Sequence, residues 1–299
     1  MKTTVFLSSF LFLPVITLSA QNNAETDALT VPYFGQKPPG MVPGIFAPGI
    51  ISTQNHEFSC CMSPDGKEFY FTRLNPEERQ NYVMFTTLTD GRWTEPAVAP
   101  FAGPFTFEPF VTPDNKRVYF QTGKVTDGKL MMYTMYADKT ENGWSEARDA
   151  GDAFNPMKTM HISATLDGTV YTTDISGGMG SEALGIVKKY NGEYKNLEKL
   201  GLPFNQTEKQ QHPWIAPDES YIIFTVRKPG QDPVSVLLCS FKNKKGEWTE
   251  PIELKLGMDA GQPFVTRDRK YLFFSGGSPG RGDIFWVDAK IIEELKPEK

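Results

Sequence analysis

Histidine is scarce in this chain, with three residues in 299. Two of them, His161 and His212, stand 51 residues apart, and Glu108 stands 53 residues before the first. Two imidazoles and a carboxylate form a donor set that suits a divalent zinc, manganese or iron ion. Such a metal would polarise a substrate oxygen or activate water, as a lyase or glycoside hydrolase acting on a carbohydrate could use it. Without a metal, the same groups can bind a ligand by hydrogen bonds alone, as convergent polar side chains do in a pocket. A third reading gives them no ligand, only backbone groups and water to satisfy. Residues so far apart in sequence meet only if the fold itself repeats at about that interval.

The chain does repeat. Five turn segments recur: Ser63-Pro64-Asp65-Gly66, Thr112-Pro113-Asp114-Asn115, Thr165-Leu166-Asp167-Gly168, Ala216-Pro217-Asp218-Glu219 and Thr266-Arg267-Asp268-Arg269. Their aspartates are spaced 49, 53, 51 and 50 residues apart. Proline presets the first corner of a tight turn, aspartate bonds back to the backbone, and Gly or Asn tolerates positive φ. The third copy lacks the proline and is one residue shorter. Each turn leads into a β-prone triplet such as Phe69-Tyr70-Phe71 or Leu272-Phe273-Phe274. A third apolar run follows, and in four copies a glycine turn and a fourth run such as "RWTEPAVA" or "EWTEPIEL". Four antiparallel strands in about fifty residues, repeated, are the signature of propeller blades that must stack to bury their faces.

The expected fold is therefore all-β, a five-bladed propeller over residues 43–288. The fifth copy runs out after its third strand. The segment "PGIFAPGIIS", residues 43–52, lies at the right distance before the first blade to supply the missing strand. Such closure would protect the last sheet edge. Residues 289–299 are expected to form a short helical tail, and residues 21–42 an N-terminal extension. The Ser-Pro-Asp-Gly-Lys-x-x-x-Phe pattern resembles the TolB-like, or WD40-like, propeller repeats of bacterial exported proteins. That resemblance implies the fold and says little of chemistry. TolB itself carries a further amino-terminal α/β domain, for which residues 21–42 are too few.

On this alignment the residue six before each turn aspartate is Ser59, Glu108, His161, His212 and Gln262. None is apolar, and all should lie on first strands lining one channel. The segments between second and third strands should overhang the same face: Arg73–Gln80, Thr122–Lys129, Asp174–Ser181, Arg227–Pro233 and Gly276–Gly282. Arg73, Asp174 and Arg227 leave their second strands at equivalent positions, and the two arginines could grip an anion in bidentate fashion. Polar loops on a rigid scaffold are a common way to build a binding site. The recurrent Trp93, Trp144 and Trp248 are expected to pack between blades. A glycosidase needs two carboxylates flanking one bond, and the sequence shows no such pair.

The ends and the composition narrow the class further. Lys2 precedes an apolar run from Val5 to Leu18, followed by Ser19 and Ala20, the pattern of a secretory signal peptide over residues 1–20. The mature chain is expected to be exported, periplasmic or extracellular, and monomeric, with no membrane span. Removing the leader takes away Lys2 and no acid, moving the net charge from −5 to −6. That balance gives no electrostatic footing for nucleic acid. Three cysteines, Cys60, Cys61 and Cys239, make no disulfide framework and are expected to be buried thiols. The favoured role is recognition of a small molecule, a glycan or a protein at the Glu108, His161 and His212 ring.

Overall fold

The computed structural model describes residues 32–206, 209–228, 230–231, 234–278 and 281–297. The expected leader and most of the N-terminal extension lie outside the described residues. The chain forms five antiparallel sheets arranged as the blades of a propeller. The innermost strands are Glu57–Met62, Thr106–Val111, Thr159–Ala164, Gln210–Ile215 and Ala260–Val265. The second strands are Glu68–Asn75, Arg117–Thr126, Val170–Asp174, Tyr221–Arg227 and Tyr271–Ser278. The third are Gln80–Thr89, Lys129–Thr140, Ala183–Tyr190, Ser235–Phe241 and Arg281–Asp288. Second strands are buried on both faces, which is why they read as continuous runs of Phe, Tyr, Ile and Val.

Fourth strands are weaker. In blades 1 and 2 they break into two-residue pieces, Arg92–Trp93 with Ala97–Val98 and Gly143–Trp144 with Arg148–Asp149. Pro96 accounts for the break in blade 1, since it has no N–H to give a ladder. Several expected loops are instead strand. Thr122–Thr126 pairs residue for residue with Lys129–Tyr133, and Gly276–Ser278 with Arg281–Asp283. The glycine and charge that suggested a loop sit on hairpins that project beyond the ring.

The ring closes as expected. Gly44–Ile45 pairs antiparallel with the third strand of blade 5, Gly44 opposite Trp286 and Ile45 opposite Phe285. Phe46 follows, fully buried, with its ring 5.1 Å from Phe69, 4.9 Å from Phe273 and 5.1 Å from Trp286. One side chain thus joins blade 1 to blade 5. The short helix Lys290–Glu293 buries Ile291 and Ile292. Trp144 reaches from blade 2 to donate Nε1–H to Tyr70 of blade 1 at 2.9 Å, and Trp93 stacks on Phe34 at 4.8 Å. The recurrent tryptophans therefore pack between elements. The three cysteines are free and buried. Among the described residues, no helix is long and apolar enough to cross a membrane.

Candidate functional site

Each innermost strand carries one residue in the left-handed backbone region, and in every blade it is the residue six before the turn aspartate. The φ angles are 44° at Ser59, 55° at Glu108, 57° at His161, 51° at His212 and 49° at Gln262. At each of the five the ladder to the second strand slips. These are β-bulges, which leave a residue unpaired and re-aim its side chain. In blades 2, 4 and 5 the next residue is Pro109, Pro213 or Pro263, and there the gap in pairing widens from one residue to two. Glycine takes this conformation at no steric cost, whereas other L-residues lose roughly 1–2 kcal/mol. Five such positions hold Ser, Glu, His, His and Gln, and none holds Gly or Asn.

The strained backbone is supported by the neighbouring blade. The Glu108 N–H donates to Thr72 Oγ1 at 3.0 Å, His212 N–H to Thr173 Oγ1 at 2.8 Å, Gln262 N–H to Thr225 Oγ1 at 3.1 Å and Ser59 N–H to Ser275 Oγ at 2.8 Å. These hydroxyls share one repeat position on the preceding blade's second strand. Blade 2 has Gln121 there, so His161 gets no such cap. The sequence carried this signal as a recurrent Ser or Thr seven residues after the turn aspartate, six in the short third copy.

Four of the five ring side chains meet. Gln262 Nε2 donates to Glu108 Oε1 at 3.1 Å, and His212 Nε2 faces the same oxygen at 3.3 Å. The His161 and His212 rings lie edge to face with centroids 5.3 Å apart. Glu108 and His161 are buried at 3% and 8% exposure, while His212 and Gln262 are partly open. Burial alone would raise the Glu108 carboxyl. His212, His161 and the Gln262 amide outweigh it and hold the group below its ordinary value. Burial pushes His161 down to about 4, with Glu108 pulling the other way, so it is neutral near pH 7. Glu108 Oε2, His161 Nδ1 and His212 Nδ1 are buried atoms with no hydrogen-bond partner. With its Nε2 turned to the carboxylate, a His212 ring that carries a single proton there presents Nδ1 as an acceptor. Ser59 is buried in the same ring at 2% exposure.

The remaining expected site residues fall elsewhere. Arg73 Nε donates to Glu57 Oε1 at 2.7 Å, and its Nη2 donates to the carbonyls of Ile50 and Ile51 at 2.9 and 3.1 Å. The guanidinium that could have gripped a ligand anion instead clasps the ring-closing segment to blade 1. Asp174 is buried and accepts from the N–H of Ser176 at 2.8 Å. Arg227 is exposed at the end of its strand. His56 lies at the closing seam, where its Nδ1 accepts from the Gly282 N–H at 2.6 Å. The donor types at Glu108, His161 and His212 fit a divalent metal. Among the described residues, however, no three His, Cys, Asp or Glu side chains are arranged as a group that could hold one.

No protein-family model matches the chain, and no curated protein matches it. Among solved structures, it is similar to the catalytic domain of a GH62 alpha-L-arabinofuranosidase from Coprinopsis cinerea. That match has a TM-score of 0.53 and 10% identity, covering 84% of this chain and 97% of that one. An alpha-L-arabinofuranosidase from Podospora anserina, solved with cellotriose, gives a TM-score of 0.50 at 10% identity, covering 83% and 93%. A GH43 endo-arabinanase from Bacillus licheniformis gives 0.47 at 13% identity, covering 80% and 94%. At these identities the likeness is one of fold: the chain is a five-bladed β-propeller.

Proposed function

We propose that the chain is an exported recognition propeller, of the TolB-like repeat type, that binds a small hydroxyl-rich ligand, a glycan, at the channel mouth. The observation that carries this reading is the ring itself. Polar side chains occupy five backbone positions where glycine would cost least, and three of their buried polar atoms lack a partner. Strain of this kind persists where it serves a site. The unpartnered carboxylate oxygen and imidazole nitrogen are acceptors, which suit the donor hydroxyls of a sugar better than an anion. His212 and Gln262, the more open members, would meet the ligand first, with Glu108 behind them fixing their orientation. The glycosidase names of the GH62 neighbours are compatible with a sugar ligand. The ring holds one carboxylate, not the flanking pair that glycosidic cleavage uses.

The test is calorimetric titration of the purified protein with neutral oligosaccharides, cellotriose and arabinotriose among them. Glu108→Gln keeps the shape but exchanges an acceptor for a donor. It should weaken binding by about tenfold or more while circular dichroism is unchanged. Equal binding by wild type and variant would remove the ring from the reading.

A second reading, a metal-dependent lyase or hydrolase, is favoured by the same three unpartnered atoms, one oxygen and two nitrogens. A metal there would supply Lewis-acid chemistry; Glu108, His161 and His212 have the donor types to hold it but are not arranged as a ready metal-binding group. Stoichiometric zinc, manganese or iron that disappears in the His161→Ala/His212→Ala double variant would select this reading over the first.

A further inference from the structure

The face opposite the channel mouth carries the five turns, and there the seams between blades are not equivalent. Asn115 of blade 2 donates to the turn aspartate of blade 1, Asp65, at 3.0 Å, and Arg269 of blade 5 donates to Asp218 of blade 4. At the same turn position blade 3 has Gly168 and blade 1 has Gly66. Both seams with glycine gape. A notch of about 510 Å³ at the seam of blades 5 and 1 is lined by Tyr33, Met62, Leu88 and Trp93. It is apolar, and the chain's own segment Pro32–Gly35 supplies Tyr33 to it. The notch of about 460 Å³ between blades 2 and 3 is polar, lined by the cations Lys116, Arg117, Lys139 and Lys189 and the carboxylates Asp114, Asp138 and Asp167, with Gly168 and Tyr194.

Its charge is unbalanced in a way the repeat makes visible. Lys139 and Lys189 on the third strands of blades 2 and 3, and Lys242 just past that of blade 4, occupy one repeat position, over the rings of Trp144, Tyr194 and Trp248. Lys139 pairs with Glu68 of the preceding blade at 2.8 Å, and Lys242 pairs with Glu219 at the turn of its own blade. For Lys189 neither partner exists. The residue equivalent to Glu68 is Arg117, a cation, and the residue equivalent to Glu219 is Gly168. Arg117 is itself committed to Asp138 at 2.7 Å. Lys189 Nζ lies 3.0 Å from the point where a Cβ on Gly168 would sit, so the ammonium borders the space that a turn carboxylate would fill. Below it Tyr194 donates its hydroxyl to the Gly168 carbonyl at 3.1 Å and forms the floor.

We propose that the notch between blades 2 and 3 is a second ligand site, independent of the channel ring, and that it takes a carboxylate-bearing sugar of about disaccharide size. The ligand's carboxylate supplies to Lys189 the partner that Glu68 and Glu219 supply to its counterparts, with Arg117 alongside. The rest of the ligand lies in the gap that Gly168 leaves open.

Calorimetric titration with digalacturonate, and with uncharged cellobiose as its control, tests this on the full chain. Digalacturonate should bind with an affinity that depends on Lys189, whereas any cellobiose taken by the channel ring should bind equally to wild type and Lys189→Ala, and digalacturonate binding should weaken as salt is added, because the notch is open to solvent. Lys189→Ala should lower the digalacturonate affinity about tenfold or more. Gly168→Glu writes the blade 4 solution into blade 3. Glu219 holds the equivalent place at a φ of 58°, whereas Gly168 lies at 85°, where a side chain is strained. The new carboxylate should pair with Lys189 and abolish binding, and circular dichroism should show the variant folded. The proposal is overturned if digalacturonate fails to bind at millimolar concentration, if Lys189→Ala weakens cellobiose as much as digalacturonate, or if both variants bind digalacturonate like wild type. Because ring substitutions such as Glu108→Gln should leave this binding unchanged, failure here is distinguishable from failure of the channel reading.

Discussion

Two glutamates are buried on neighbouring innermost strands, and their surroundings could hardly differ more. Glu57 is fully buried and fully partnered: it accepts from Arg73 Nε at 2.7 Å, from the Thr53 N–H at 3.0 Å and from the Thr53 hydroxyl at 2.6 Å. Arg73 in turn holds the Ile50 and Ile51 carbonyls. The network ties the ring-closing segment to blade 1 and leaves no capacity for a ligand. Glu108 is nearly as buried, yet it shares one oxygen between Gln262 and His212 and leaves the other without a partner. A buried unsatisfied acceptor costs about 1–3 kcal/mol. A carboxylate that closes a ring is expected to be saturated, and one that serves a ligand is expected to keep a free edge.

The largest expected effect lies on the saturated side. Glu57→Ala leaves the partly buried Arg73 against two carbonyls without its counter-ion, and breaking a largely buried pair in this way costs about 3–5 kcal/mol. Urea unfolding of the variant measures it. A loss under about 1 kcal/mol, the ordinary worth of an exposed pair, would mean the clasp is incidental and would break the comparison.

The second effect lies at the ring and depends on pH. The folded His161 value of about 4 lies below the ordinary 6.5. Between those values the unfolded chain binds a proton that the folded chain refuses. Stability is therefore fully present above the unfolded value and is lost as the pH falls toward the folded one. The gap corresponds to about 3 kcal/mol. Glu108 and His212 face the His161 ring. Glu108, held low, adds its own loss at the acid end of this window. His56 is lowered by burial at the closing seam, with Glu57 and Asp283 pulling the other way, so it too costs stability as the pH falls below the ordinary histidine value. His161→Asn should flatten the fall measured by urea unfolding from about pH 7 to about pH 4 while leaving the share due to His56. An unchanged slope would show that His161 is not held neutral by the ring.

How much of this was legible beforehand follows from what repeats. Turn aspartates and β-prone triplets recur in sequence, so blade number, strand order and closure by residues 43–52 could be read from spacing alone. The ring positions followed from the same alignment, because a bulge at a constant offset keeps side chains in register around the axis. The bulge itself was marked by Pro109, Pro213 and Pro263, which cannot serve a regular ladder, although the left-handed conformation before them was not foreseen. What does not repeat was not legible. Arg73 looked equivalent to Arg227, yet only blade 1 has a closing segment beside it with carbonyls to hold. The long hairpins of blades 1, 2 and 5 resembled loops because glycine and charge on an edge that projects into solvent look the same in sequence.

The smallest effect probes what holds Glu108 in its unusual conformation. Thr72 Oγ1 accepts the Glu108 N–H, as Thr173 does for His212 and Thr225 for Gln262, whereas His161 sits without a cap because Gln121 replaces the hydroxyl. Thr72→Val removes the acceptor and keeps the branched shape. Loss of one such hydrogen bond should cost about 1 kcal/mol, and the same change at Gln121 should cost nothing through this route. The carboxylate would then be aimed less firmly, so binding of a channel ligand should weaken along with stability. In the Glu57 clasp the corresponding loss would appear in stability alone, since nothing outside the fold depends on where that carboxylate points. Thr72→Val protein that loses stability but binds with wild-type affinity would show the cap to be structural only, and would place the aim of Glu108 in its contacts with Gln262 and His212.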